Sequence, residues 1–153
     1  MGEVEYAALL CALLNGGEAE ARQVFDVVSE RATRAVRVDC LTPTHAIEIG
    51  LDDKASARDS VHQAVFAAKQ TGLAPMVILI DRDGRVGRHE VEVQAVTETL
   101  GLPCARCRAG FLDAWSATAG SGRDRTAGGN DLPIDPVLAG RCPIDALLSP
   151  DKF

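Results

Sequence analysis

The sequence predicts an α/β fold whose elements run α-β-β-β-α-β-α, and three observations lead to it. A segment apolar almost all round, Ala7 to Leu14, stops at Asn15-Gly16-Gly17. Two stretches of two-residue alternation then flank a short turn at Pro43-Thr44. Finally, a segment with helical period ending at Gly72 leads into the continuous apolar run Ala74 to Asp81. Two alternating strands around a tight turn make an antiparallel hairpin, and a helix followed by a strand makes a crossover. A mixed sheet of about four to five strands flanked by helices satisfies both.

Taken in order, "EVEYAALLCALLNGG" predicts a largely buried helix with a glycine C-cap. "EARQVFDVV", Glu20 to Val28, carries Val24, Phe25, Val27 and Val28, types that favour a strand, and "SERATR" is a turn. In "RAVRVDCLT", Val36, Val38 and Cys40 share one face and Arg37, Asp39 and Leu41 the other. "HAIEIG" returns with His45, Ile47 and Ile49 on one face and Ala46, Glu48 and Gly50 on the other. The next helix repeats apolar residues at Ala57, Val61, Ala64, Val65 and Ala68, with Asp52, Asp53 or Ser56 available as N-cap. "APMVILID" suits a central strand buried on both faces. "RHEVEVQAVTETLG" gives a third helix, with Val93, Val96 and Leu100 inward and Gly101 as its stop.

Past residue 107 the glycines and prolines multiply, so residues 1–107 form the expected core and 108–153 a partly flexible extension. Short helices are expected there around Trp115 and over "PIDALL", docking on the body or on a second subunit. The chain has 153 residues, 46% hydrophobic and 25% charged, which fits one soluble globular domain. It shows neither the pattern of a signal peptide nor an apolar run long enough for a membrane span, so a cytoplasmic protein is expected. Five cysteines, an odd number, then read as reduced thiols. A net charge of -6 argues against a strong nonspecific grip on nucleic acid.

The hairpin carries the chemistry. With a two- or four-residue loop centred on Pro43-Thr44, opposed positions sum to 87, and Asp39 faces Glu48 with Cβ atoms roughly 4.5 to 5.5 Å apart. A three-residue loop would shift that register. Opposed carboxylates repel, so either a cation lies between them or one stays protonated; a divalent metal is the simplest cation. Lys54 follows six residues after Glu48 in a chain with only three lysines, and its compact ammonium suits orienting a water or stabilising developing charge. Gln63 on the following helix is near enough in sequence to face the same site. Arg58 and His62 lie one turn apart and are candidate phosphate contacts, as is Arg37 on the Asp39 strand.

An Asp at the end of one strand, a Glu within the next and a Lys close behind resemble the PD-(D/E)xK nuclease superfamily, whose restriction-endonuclease-like core has the order α-β-β-β-α-β. More closely, "RVDCLTPTHAIEIGLDDK", "SVHQAVFAAKQTG" and "MVILI" resemble a group of small bacterial members in which the lysine is displaced to six residues after the Glu and a Gln sits on the next helix. The resemblance spans about residues 3 to 101. It implies a three-layer core, Asp39, Glu48 and the Ile49 carbonyl as ligands of Mg²⁺ (or Mn²⁺), Lys54 as catalytic lysine and Gln63 as a substrate or water contact. Glu5, or Glu3, would be the extra acid some branches carry. The activity implied is metal-assisted hydrolysis of nucleic acid, DNA more than RNA, by an enzyme that can work as a homodimer. Gly50 stands where the short motif has its lysine, Ala55 replaces an aromatic residue, and Phe66 or Ala67 occupies the place of a frequent tyrosine. A catalytically inactive binding or assembly module with the same fold is the alternative.

Two other motifs have plainer readings. "CARC", Cys104 to Cys107, is half a zinc site at most and reads as incidental thiols. "DRDG", Asp81 to Gly84, lacks the later glutamate of a calcium loop and reads as a tight turn. His45, His62 and His89 are scattered and read as structural or surface residues.

Overall fold

The computed structural model describes residues 1–14 and 17–119. Its elements are α1 (Glu3–Leu13), β1 (Glu18–Val27), a single 3₁₀ turn (Val28–Glu30), β2 (Ala32–Leu41), β3 (His45–Leu51), α2 (Ala57–Thr71), β4 (Ala74–Asp81), α3 (Arg88–Leu100), β5 (Cys104–Arg108) and α4 (Ala109–Ala119). The order predicted from the sequence holds through α3, and β5 and α4 extend it. One open sheet has the order β1-β2-β3-β4-β5. The β1-β2 and β2-β3 pairs are antiparallel, and the β3-β4 and β4-β5 pairs are parallel. This is a mixed α/β sheet.

Helices cover both faces, making three layers. On one side α1 and α4 bury Leu10, Leu14 and Leu112 against Ile47, Ile49, Met76, Ile78 and Ile80. On the other, α2 and α3 bury Ala57, Val61, Ala64 and Val93 against Val77 and Leu79. The alternate residues of β4 thus serve two cores, which is why its sequence is continuously apolar. "PIDALL", the glycine-rich segment before it and Cys142 lie outside the described residues. No helix among the described residues is long and apolar enough to cross a membrane.

Three details of the strands and helices depart from the sequence reading. β5 was not expected: its five residues include two arginines and two cysteines, and among the described residues it pairs only with β4. The inner face of α3 is Glu90, Val93 and Thr97, while Val96 and Leu100 are exposed. The buried polar pair is tolerated because it is partnered, the Thr97 hydroxyl donating to the Val93 carbonyl at 2.9 Å and Glu90 meeting Arg106. Val38 does not share a core with Cys40, but packs with Ala21, Ala46 and Ala67 on the other side of the sheet. The face changes at Asp39, opposite Glu20, whose φ of 54° breaks the regular strand.

The cysteines are not all reduced thiols. Cys11 on α1 and Cys40 on β2 form a disulfide, with Cα atoms 5.4 Å apart, because α1 lies across β2. Gly17 makes room for it, since a Cβ there would lie 2.7 Å from the Cys11 sulfur. Cys107 is also disulfide-bonded and Cys104 is free. In strand β5 these two cysteines, three positions apart, project to opposite faces, so "CARC" cannot chelate one metal.

Candidate functional site

The turn of the β2-β3 hairpin is built by Thr42. Its backbone N–H donates to the His45 carbonyl at 2.9 Å, and its hydroxyl accepts the His45 N–H at 2.9 Å and the Thr44 N–H at 3.3 Å. That geometry sets the register: Cys40 pairs with Ile47 and Leu41 with Ala46, so opposed positions sum to 87. The next pair in register is Asp39 with Glu48, and there the backbone ladder ends.

The two carboxylates fill the seam where the strands part. Asp39 Oδ2 accepts the Ile49 N–H at 2.8 Å, and the Glu48 carboxylate accepts the Asp39 backbone N–H. Each side chain therefore satisfies an amide of the opposite strand that the ladder leaves free. Glu48 is only 2% exposed, and burial, the Asp39 charge and a hydrogen bond to Asp39 push its pKa up to about 9. Burial also raises Asp39, opposed by the Ile49 amide and by the hydrogen bond from Glu48. At neutral pH, then, Glu48 holds the proton and Asp39 accepts it. Of the two resolutions the sequence left open, protonation operates in the metal-free chain.

Other acids surround this pair. Glu20 raises Asp39 further, and Glu3, at the start of α1, is itself raised by burial and by the Asp39 charge. Among the described residues, no ion pair joins a cation to Asp39 or Glu48. Glu5 is occupied elsewhere, its Oε2 accepting the Gly2 N–H at 2.6 Å to cap α1. Within the first helix, the acid coupled to the pair is thus Glu3.

The remaining expected site residues divide. The Ile49 carbonyl points into the same seam as the Ile49 N–H, by strand geometry, and accepts the Ser60 hydroxyl at 3.3 Å. Gly50 is compressed under α2: a Cβ there would meet Ser60 Oγ at 2.9 Å and Ala57 Cα at 3.1 Å, so no lysine fits at that position. Lys54 stands on the turn after β3, its N–H donating to the Leu51 carbonyl at 3.1 Å. Its exposed ammonium makes no hydrogen bond or ion pair with either carboxylate, and the charge it influences is Asp53. Arg58, His62 and Gln63 are on the exposed side of α2, whose inner face is Ala57, Ser60, Val61, Ala64 and Ala67. Arg37 is exposed and lies 3.4 Å from Glu20. Asp39, Glu48 and Ile49 are brought together; the cationic and amide side chains stay at the surface.

A second group of acids sits at the carboxyl ends of the parallel strands. Asp52 follows β3 and Asp81 closes β4; both are buried, and Asp83 lies two residues on. "DRDG" is a turn, as expected: Asp81 Oδ1 accepts the Gly84 N–H at 2.7 Å, and Gly84 takes a φ of 76°. The sequence reading missed Asp52, which accepts the Arg82 N–H at 3.1 Å and so joins the turn from the neighbouring strand. Burial raises Asp52, opposed by that amide, and raises Glu90, opposed by Arg106. The recoverable signal was positional, an acid ending each of two consecutive parallel strands, where ligand sites of α/β sheets form.

Comparison with protein-family models, with curated proteins and with solved structures returned no match for this chain.

Proposed function

We propose that this chain is a divalent-metal-dependent nuclease that hydrolyses phosphodiester bonds in nucleic acid, DNA in preference to RNA. The observation that carries this reading is the pair of carboxylates, Asp39 and Glu48, set against each other in the buried seam of the hairpin. A buried carboxylate pair that keeps a proton, with no cation beside it, has the charge a metal ion would take up. Its donors are all oxygen, which suits Mg²⁺ (or Mn²⁺). A bound ion would supply Lewis acidity toward a phosphate oxygen and lower the pKa of a water.

The protein's own part follows from position. Asp39 and Glu48 would hold the ion, with the Ile49 carbonyl turned from Ser60 as a further ligand. Glu48 must give up its proton first. Glu3 adds negative potential, and Glu5 serves the helix cap. Lys54, Gln63, Arg58 and His62 are exposed and would meet a nucleic acid at the surface, as would Arg37 once released from Glu20. Cytoplasmic action is part of the proposal, and the Cys11–Cys40 disulfide is compatible with it because both sulfurs are shielded from cytosolic thiols. Action as a homodimer belongs to the proposal as well, and gel filtration of the full chain tests it.

The inactive binding module has one observation in its favour: neither Lys54 nor Gln63 contacts the carboxylates. Cleavage of supercoiled plasmid and of single-stranded DNA and RNA with Mg²⁺ or Mn²⁺, wild type against Asp39→Ala, separates the two. Metal-dependent cleavage lost in the variant is expected. Equal inertness of both proteins on every substrate would leave the binding module.

A further inference from the structure

Taking nucleic acid as the partner from the nuclease reading, we infer that the β1-β2 ribbon is the arm that grips its sugar-phosphate backbone, with Arg22 and Arg37 as a paired phosphate clamp and Arg31 at the tip.

The ribbon outruns the rest of the sheet. β2 pairs with β3 only at Cys40 and Leu41, whereas it stays paired with β1 as far as Ala32 and Val27. Among the described residues, 21–27 and 32–38 therefore pair only with one another, over a length of roughly 20 Å. One face of this arm is propped by α2, where Phe25 packs edge-on against Phe66 with ring centroids 5.1 Å apart. The other face is open: Arg22, Val24 and Asp26 on β1 and Thr33, Ala35 and Arg37 on β2 are all exposed.

Charge identifies the occupant of that face. Residues 21–38 hold four arginines and two acids, a net charge of +2 in a chain whose net charge is -6, so the remainder carries -8. On the open face Arg22 lies directly opposite Arg37. Opposed like charges destabilise a strand pair, and with Cβ atoms roughly 4.5 to 5.5 Å apart both guanidiniums can donate to one phosphate. No buried acid offsets them. Arg37 reaches Glu20 at 3.4 Å with 73% of its side chain exposed, and Asp26 accepts the Thr33 hydroxyl at 3.0 Å. Among the described residues Arg22 and Arg31 make no ion pair, while Arg34, on the propped face, is paired with Glu30. At the tip Arg31 takes a φ of 48°, a left-handed conformation that residues with side chains rarely adopt, and it is exposed. Arg37 precedes Asp39 by two residues on β2, so a backbone held here leads to the carboxylate pair. A two-stranded ribbon is also an element that the major groove of B-form DNA admits.

The test is fluorescence anisotropy of a labelled DNA duplex, titrated at several salt concentrations in EDTA with the full chain carrying Asp39→Asn and Glu48→Gln, so that neither metal nor cleavage enters. Adding Arg22→Ala and Arg37→Ala is expected to weaken binding at least about tenfold and to make the slope of log affinity against log salt shallower by about 2. Arg85→Ala with Arg88→Ala, the same loss of charge at exposed positions outside the ribbon, should leave the slope unchanged. Equal changes of slope from the two pairs overturn the proposal, as does the absence of duplex binding at low salt by both the wild type and the hairpin-substituted chain. A gel-filtration dimer that Val24→Glu dissociates overturns it too, because a second copy then covers the open face. The nuclease reading fails separately: duplex binding through Arg22 and Arg37 by a wild type inert with Mg²⁺ leaves the arm standing, whereas metal-dependent cleavage whose KM ignores Arg22→Ala and Arg37→Ala removes the arm alone.

Discussion

At the scale of single residues, the site turns on one proton. Glu48 in the folded chain binds it up to about pH 9, whereas an ordinary glutamate releases it near 4.5. Between those values the folded state holds a proton that the unfolded state has lost, so stability is greatest below about 4.5 and declines as pH rises toward 9. Metal-free protein should therefore melt at a lower temperature at pH 8.5 than at pH 6, and Glu48→Gln should flatten that slope, because glutamine can donate to Asp39 without a proton to lose. Melting curves by circular dichroism at both pH values check this; an equal slope in the variant would assign the pH dependence elsewhere. The register of Asp39 against Glu48 was legible because turn length and strand alternation fix it arithmetically. Invisible in the sequence was that both side chains would bond to backbone amides, since that depends on where the ladder stops.

At the scale of elements, the close approach of α2 to β3 explains the residue at position 50. Gly50→Ala would drive a methyl group against Ser60 and Ala57. We expect it to destabilise the fold by about 1–3 kcal/mol, read from the shift in urea midpoint at constant slope; an unchanged midpoint would show that α2 can move away freely. Strong periodicities were readable: β4 as a doubly buried strand, α1 as a buried helix, α2 with its inner face of small residues. β5 was not, because an edge strand five residues long with charged members carries too little alternation. The inner face of α3 was misread for a related reason. Glu90 and Thr97 are buried by virtue of partners contributed by β5 and by the helix's own backbone, and hydrophobic periodicity counts neither.

At the scale of the whole molecule, the disulfide and the mixed sheet decide how the hairpin is held. Cys11–Cys40 ties α1, which bears Glu3, to the strand residue beside Asp39, and closes a loop of sequence separation 29. Removing such a link costs about 2–4 kcal/mol through the freedom it returns to the unfolded chain. Cys11→Ser with Cys40→Ser should lower the melting temperature accordingly, read by circular dichroism; an unchanged Tm in the double variant would mean the link bears no part of the stability. An odd number of cysteines and an expected reducing compartment hid this pair, for only the crossing of α1 over β2 brings the two sulfurs together. The order of elements through α3, by contrast, followed directly from the chain.

The central claim, that the proton on Glu48 keeps a place for a metal ion, is tested most directly by isothermal calorimetry of Mg²⁺ binding at pH 7.5 in two buffers of different ionisation enthalpy. The account predicts about one proton released per ion bound at the hairpin, and none at that site in Glu48→Gln. Mg²⁺ binding with the same heat in both buffers, or wild type and Glu48→Gln releasing protons alike, would contradict it.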